Sequence, residues 1–107
     1  MYFLKISGLI PINKQTEFEQ TYRYIRSQIP ATCSSYTLTR DFHREDEYQF
    51  MSYWEGKDTM EDFACTSAYK MLKGAFQTLG SLNEDKSGLI METKIIGSET
   101  GFNTTQS

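Results

Sequence analysis

Apolar and polar residues alternate in four short segments of the chain, which is the pattern of β-strands. The third segment shows this pattern most clearly, because Phe50 and Trp54 fall on one face while Met51 and Tyr53 fall on the other. Large apolar residues on both faces indicate a strand that is covered on both sides. The predicted strands comprise residues 2–9, 33–42, 48–54 and 88–96.

The first predicted helix lies between the first two strands and comprises residues 13–28. Asn13 is the stronger N-cap candidate and Thr16 a weaker one, because both side chains can accept a hydrogen bond from a free backbone N–H group. An apolar stripe that includes Tyr22 is expected to face the sheet, with a charged stripe towards solvent. Pro30 ends the helix, since the residue before a proline avoids helical geometry.

The second predicted helix follows the third strand and comprises residues 58–80. Asp58 or Thr59 is expected to cap its start. We expect a break at Thr66, where a second capping residue precedes a new apolar stripe. Gly80 is expected to end the helix as a C-cap glycine.

The order of these elements predicts an α+β fold of the ferredoxin-like, split βαβ type, with a four-stranded antiparallel sheet and helices on one face. Two helices cover only one face of such a sheet. The other face would expose a large apolar patch, so we expect a homodimer in which a second copy covers it. The 107 residues suit one domain, residues 1–97, with a loose polar tail at residues 98–107.

Composition and charge narrow the classes of function. The net charge of −3 at pH 7 and the lack of a basic cluster argue against a nucleic-acid partner. No apolar run approaches the roughly 20 residues of a membrane span, and the first residues show no export signal, so we expect a cytoplasmic protein. Cys33 and Cys65 are then expected to be free thiols, and His43, in a charged hairpin, is expected to be solvated.

Residues 54–60, with the sequence WEGKDTM, begin a segment that resembles a known family. Phe63, Ser67 and Tyr69 follow at the spacing of a split helix, and residues 30–40 resemble the second strand of the same family. Together these motifs are similar to the antibiotic biosynthesis monooxygenase (ABM) superfamily of dimeric α+β barrels. The resemblance extends over the whole chain up to the predicted tail.

This resemblance implies several activities: cofactor-free oxidation of aromatic polyketides, oxidative heme breakdown or turnover of signal molecules. Where the heme-degrading branch has its Asn, Trp and His ligand, this chain has Ser7, Phe63 and Lys73. The heme ligand is thus replaced, and we expect no heme and no other cofactor. Where the polyketide-oxidising branch has an Asn and a Trp, this chain has Phe50 and Trp54. Trp54 could stack on an aromatic ligand, although a Trp at a strand end is more often a core residue.

Two functional hypotheses are consistent with these residues. The leading one is a cofactor-free monooxygenase-like protein that acts on a small aromatic or quinol-type molecule in a pocket between sheet and helices. The alternative is a non-enzymatic small-ligand-binding or stress-related dimer of the same fold. Ordered polar groups in a pocket beside Trp54 would favour the enzyme, and a pocket filled by phenylalanine rings would favour the binding protein. The candidate pocket residues are Ser7, Tyr36, Phe50, Ser52, Trp54, Phe63, Tyr69 and Phe76.

Overall fold

Four antiparallel strands and three helices make up the computed structural model, which describes residues 1–96. The sheet order is β2-β3-β1-β4, which confirms the predicted ferredoxin-like α+β fold. A 3-10 helix, Ile12–Lys14, precedes the first α-helix. The strands are β1 (Tyr2–Leu9), β2 (Cys33–Arg40), β3 (Glu47–Trp54) and β4 (Ser81–Leu89). The helices are α1 (Gln15–Arg26), α2 (Lys57–Ala64) and α3 (Ser67–Leu79).

The core lies between one face of the sheet and the helices. In the central pair of strands, Leu4 and Ile6 of β1 lie opposite Ser52 and Phe50 of β3. All four side chains are buried, because residues two apart on a strand point to the same face. The buried stripes of the helices complete this layer, and their members are Phe18, Tyr22, Ile25, Met60, Phe63, Ala68, Tyr69, Leu72, Ala75 and Phe76.

The second face of the sheet has a mixed character. Phe3 lies opposite Tyr53, and Lys5 lies opposite Met51, so apolar and polar side chains alternate along the central pair. Each of these four residues is half-buried, and the Lys5 ammonium lies 2.8 Å from the Glu84 carboxylate. This face is therefore less apolar than the strand pattern suggested, and its coverage by a second copy stays a prediction.

The last strand differs from its prediction. The alternation of apolar residues placed it at residues 88–96, after a polar loop, whereas β4 is Ser81–Leu89. An edge strand is defined by its backbone hydrogen bonds to the neighbouring strand and not by apolar side chains. β4 pairs with β1 along the whole length of β1. Its polar residues are held by ion pairs of Glu84 and Asp85 with lysines. Among the described residues beyond the strand, 90–96, the Ile90 N–H alone continues this pairing, by donating to the Met1 carbonyl at 2.8 Å.

The start of α1 also differs from its prediction. Asn13 lies within the 3-10 helix, and the residue that precedes α1 is Lys14, whose side chain makes no cap hydrogen bond. The structure uses Gln15 instead. Its side-chain amide donates to the Ile10 carbonyl at 3.1 Å and to the Glu45 carbonyl at 2.7 Å. These bonds tie the helix start to the loop before it and to the β2–β3 connection. The 3-10 helix itself occupies the first N–H groups, since the Lys14 N–H donates to the Pro11 carbonyl at 2.8 Å.

The break in the second helix lies where it was predicted. Thr66 separates α2 from α3, and its hydroxyl accepts a hydrogen bond from the Tyr69 N–H at 3.3 Å. The predicted caps of α2 are wrong, because Gly56 precedes the helix while Asp58 and Thr59 lie inside it. Within residues 1–96, no helix is long and apolar enough to cross a membrane.

Candidate functional site

Six of the eight predicted pocket residues are buried in the core between the sheet and the helices, and four of them lie together at its Trp54 end. The Trp54 ring lies 5.3 Å from the Phe63 ring, and the Phe63 ring lies 5.6 Å from that of Tyr69. The Trp54 indole N–H donates to the Ser52 hydroxyl at 2.9 Å, and both residues are fully buried. The aromatic slot that the sequence predicted is therefore filled by the side chains of the protein itself. The other two buried residues lie elsewhere in the core: Phe50 is next to Tyr22 of α1, and Phe76 packs 4.9 Å from Phe18, at the opposite end of the sheet from Trp54.

Ser7 and Tyr36 lie apart from this cluster. Ser7 lies opposite Gln49 on the second face of the sheet, so the whole sheet separates it from Trp54. Tyr36 lies on the helix-facing side of the edge strand β2, where it is 39% exposed. Its ring lies 6.4 Å from the buried ring of Phe50. Tyr36 is thus the predicted pocket residue that reaches open space on the helix side.

A polar network joins the outer end of the aromatic cluster to β4. The buried Tyr69 hydroxyl donates to one Asp85 oxygen at 2.6 Å, and the Lys73 ammonium lies 2.8 Å from the other. Burial and the neighbouring Asp85 carboxylate raise the pKa of Tyr69, so this hydroxyl stays protonated. Partial burial acts to raise the pKa of Asp85, but the hydrogen bonds from Lys73 and Tyr69 and the lysine charge lower it overall. The network is suited to fixing β4 on α3.

Tyr69→Phe is expected to lower the free energy of unfolding by about 1–2 kcal/mol at neutral pH, because it removes a hydrogen bond to a charged group. The folded-state pKa of Asp85 is lowered, so its contribution is present above the unfolded pKa of about 3.9. That contribution is lost as the pH falls through the folded pKa. Urea unfolding at neutral pH and below about pH 3 measures the change.

Tyr53→Phe is the matched control, since Tyr53 lies on the second face of the sheet and its hydroxyl makes no hydrogen bond within residues 1–96. Its effect should be small and independent of pH. A Tyr69→Phe effect that persists unchanged in acid would contradict the assigned role of Asp85.

The same network includes Lys73, and its ion pair shows whether this residue could act as a heme ligand. Lys73 is the residue that the sequence resemblance assigns to the heme-ligand position, and its ammonium is paired with Asp85 at 2.8 Å. A protonated lysine has no lone pair to give to iron. Ser7 and Phe63, at the other two positions, lie on the second face of the sheet and in the core. These residues do not fit a heme bound as in that branch.

An open groove lies between α1 and the edge strand β2. Its volume is about 550 Å³, within the range of small-molecule sites. The ring of the fully buried Phe50 lies behind it, 6.0 Å from Tyr22 and 6.4 Å from Tyr36. The groove combines aromatic surface with charge of both signs. Its lining residues are Glu19, Tyr22, Arg23, Arg26, Tyr36, Thr37 and Leu38.

The polar groups of this groove have few partners within the protein. Tyr22 is only 7% exposed, yet its hydroxyl makes no hydrogen bond within residues 1–96. Burial and the nearby Tyr36 raise the pKa of Tyr22 to about 12, against an opposing effect of Arg26. In the same part of the chain, Arg23 and Arg26 form no ion pair, while Glu19 accepts a 2.5 Å hydrogen bond from the Tyr48 hydroxyl. The groove therefore offers hydrogen-bond donors and positive charge to a ligand.

Sequence reasoning did not identify this groove. The sequence pattern places Tyr22 in the buried stripe of the first helix, and it places Arg23 and Arg26 in the charged stripe towards solvent. The spacing of Tyr22 and Arg26, four residues apart, places them on the same side of a helix. This spacing was the one feature of the sequence that indicated a polar, partly aromatic surface on this helix. The strand that forms the opposite wall could be identified only from the three-dimensional structure.

Solved structures share this fold, although no family model matches the sequence and no curated protein is significantly similar to it. An antibiotic biosynthesis monooxygenase superposes with a TM-score of 0.68 at 15% identity, covering 88% of this chain and 100% of the other. A Deinococcus radiodurans protein, provisionally named an antibiotic biosynthesis monooxygenase, gives 0.70 at 12% identity and covers 91% and 97%. A Bacteroides thetaiotaomicron protein of unknown function, described as a possible oxidoreductase, gives 0.69 at 11% identity and covers 81% and 94%. The resemblance to the ABM superfamily is confirmed at the level of the fold.

Proposed function

We propose that the protein is a cofactor-free, monooxygenase-like enzyme that acts on a small aromatic or quinol-type molecule. The observation that carries this proposal is the open groove between sheet and helix, where two tyrosines and two arginines surround about 550 Å³. Of the predicted pocket residues, Tyr36 lines this groove and Phe50 lies behind it. The proposed substrate position is therefore at the β2 side of the sheet and not at Trp54.

The side chains of the groove suit a reaction in which the substrate anion itself reduces oxygen. The guanidinium groups of Arg23 and Arg26 would hold an anionic group of the substrate, because preorganised positive charge favours negative charge. The Glu19 carboxylate would accept the hydrogen bond of the reacting substrate hydroxyl and so assist the removal of its proton. The electron pair of the substrate forms the new carbon–oxygen bond. A quinol and one O2 then give a hydroxyquinone and one water, which balances both atoms and electrons.

The names of the structural neighbours support an oxidative reaction. One of them is an antibiotic biosynthesis monooxygenase, and another is described as a possible oxidoreductase. Their identities to this chain are 15% and 11%, so the groove chemistry is argued from the residues of this chain alone.

A second candidate function is a non-enzymatic small-ligand-binding or stress-related dimer. The filled slot beside Trp54 favours it, because Trp54 and Phe63 leave at most 1% of their surfaces exposed. No ligand can reach Trp54 without displacing these rings. Cofactor-free oxidation also benefits from the exclusion of water, whereas the groove is open to solvent.

The protein is further proposed to be a homodimer that buries the second face of the sheet. Phe3, Met51 and Tyr53 are half-buried at its centre, and a partner sheet would remove them from water. Sedimentation at micromolar concentration tests this proposal. A single monomeric species would contradict it and would leave the groove unaffected, since α1 and β2 line it within one chain.

Oxygen uptake by the purified protein tests the proposed reaction. With a panel of quinols and hydroxylated aromatic acids, the enzyme is expected to consume oxygen above the rate of autoxidation. The product should gain one oxygen atom and lose two hydrogen atoms. Ligand binding under argon without oxygen uptake in air would favour the non-enzymatic candidate.

A further inference from the structure

The groove has an acidic end and a basic end. Glu19 and Arg26 lie seven residues apart on α1, which corresponds to about 10 Å along a helix axis. Arg23 lies between them, one turn before Arg26. Tyr22 and Tyr36 occupy the middle of the groove. A complementary molecule would therefore have an anionic group at one end, an aromatic body and a hydrogen-bond donor at the other end.

The Tyr22 hydroxyl marks the middle of the groove as a binding position. Polar groups with little exposed surface are almost always hydrogen-bonded, to the protein, to water or to a ligand. Tyr22 is 7% exposed and lines the groove without an internal partner in residues 1–96. A ligand oxygen that accepts from this hydroxyl would therefore supply a partner that the protein does not.

The basic end of the groove fits a carboxylate. The planar guanidinium of an arginine matches both oxygens of a carboxylate with two parallel hydrogen bonds. Arg23 and Arg26 are both exposed, and neither forms an ion pair with any of the described residues. Their charges are therefore available to bind a ligand carboxylate, whereas the negative charge of Glu19 disfavours a carboxylate at the opposite end of the groove. This asymmetry sets the direction in which a ligand lies.

We propose that the groove selects hydroxylated aromatic carboxylates, with the carboxylate at Arg23 and Arg26, the ring between Tyr22 and Tyr36, and the hydroxyl towards Glu19. The proposal rests on the proposed function in taking this groove as the substrate site, and it adds the substrate class. Its test measures binding under argon, where no oxidation occurs. A failure of the binding test and a failure of the reaction are therefore distinguishable.

The test is a titration with 6-hydroxy-2-naphthoate, which is rigid, fluorescent and substituted at opposite ends. The protein is expected to bind it saturably, and 2-naphthol, which lacks the carboxylate, about tenfold more weakly or worse. Arg26→Gln is expected to weaken binding of the acid about tenfold, and Arg26→Lys by less, because the charge remains. Tyr22→Phe is expected to weaken it about fivefold through loss of the hydroxyl donor.

Arg44→Gln is the matched control, because Arg44 is an exposed arginine outside the groove that lies 3.8 Å from Asp46. It should bind 6-hydroxy-2-naphthoate as the wild type does. Inorganic phosphate should not compete at equal concentration, since it lacks the aromatic body. Absence of wild-type binding, equal binding of 2-naphthol, equal losses in Arg26→Gln and Arg44→Gln, or full competition by phosphate would each overturn the proposal.

Discussion

Trp54→Ala is expected to lower the free energy of unfolding by about 3–5 kcal/mol, the usual cost of truncating a buried tryptophan. Trp54 is fully buried, its ring packs 5.3 Å from that of Phe63, and its N–H is bonded to Ser52. The truncation both leaves a cavity and removes this hydrogen bond, and each of these changes lowers stability. Urea unfolding followed by far-UV circular dichroism measures the loss, because the only tryptophan is removed.

Two further variants sharpen this result. Trp54→Phe fills most of the space and should cost less than half as much. Tyr24→Ala truncates a 56% exposed aromatic residue and should change stability by no more than about 0.5 kcal/mol. Binding of 6-hydroxy-2-naphthoate should be unaffected in Trp54→Phe, since the groove lies elsewhere. A stable Trp54→Ala variant that has lost ligand binding would mean that Trp54 belongs to the binding site.

Gly80→Ala is expected to destabilise the protein by about 3 kcal/mol or more, a severe case of overpacking. A Cβ at Gly80 would lie 1.8 Å from the Leu9 carbonyl oxygen, which is backbone and cannot rotate away. The φ of Gly80 is −161°, so the reason for glycine is space and not a left-handed conformation. Thermal or urea unfolding of the variant measures the loss.

Gly74→Ala is the control for this substitution, because nothing lies within 4 Å of a Cβ built at Gly74 in the interior of α3. Alanine should stabilise the helix there by about 0.5–1 kcal/mol. Two glycines six residues apart are thus expected to respond with opposite signs. Similar effects at both positions would contradict the close approach of Gly80 to Leu9.

The strongest local patterns predicted the fold well. In β1 and β3 the apolar alternation is continuous, and both strands lie within one residue of their predicted bounds. The pattern for β4 was misleading, because the apolar residues at 90–96 lie beyond the strand while its polar residues pair with β1. Strand pairing at a sheet edge is a backbone interaction, and side-chain alternation does not report it.

The candidate site was predicted only in part. Phe63 lies beside Trp54 as expected, whereas Phe76, which was expected there too, lies against Phe18. The sequence also could not reveal whether space remained beside Trp54. Whether space remains depends on side-chain packing at the scale of a single methyl group, which the sequence pattern does not resolve. The groove depends on the placement of α1 beside β2, which brings Tyr22 of the helix to Tyr36 of the strand. Tyr22 and Tyr36 are fourteen positions apart in the sequence, and no local sequence pattern indicates that two such residues are in proximity.

Oxygen uptake by the purified protein, free of flavin and metal, with 6-hydroxy-2-naphthoate and simple quinols as substrates, tests the central claim most directly. The account predicts uptake above autoxidation, a product with one added oxygen atom and two fewer hydrogen atoms, and the same rate in Arg44→Gln. Arg23→Gln combined with Arg26→Gln should reduce the rate at least about tenfold. Uptake no faster than autoxidation for every compound, or an undiminished rate in the double variant, would contradict a cofactor-free oxidation in the groove.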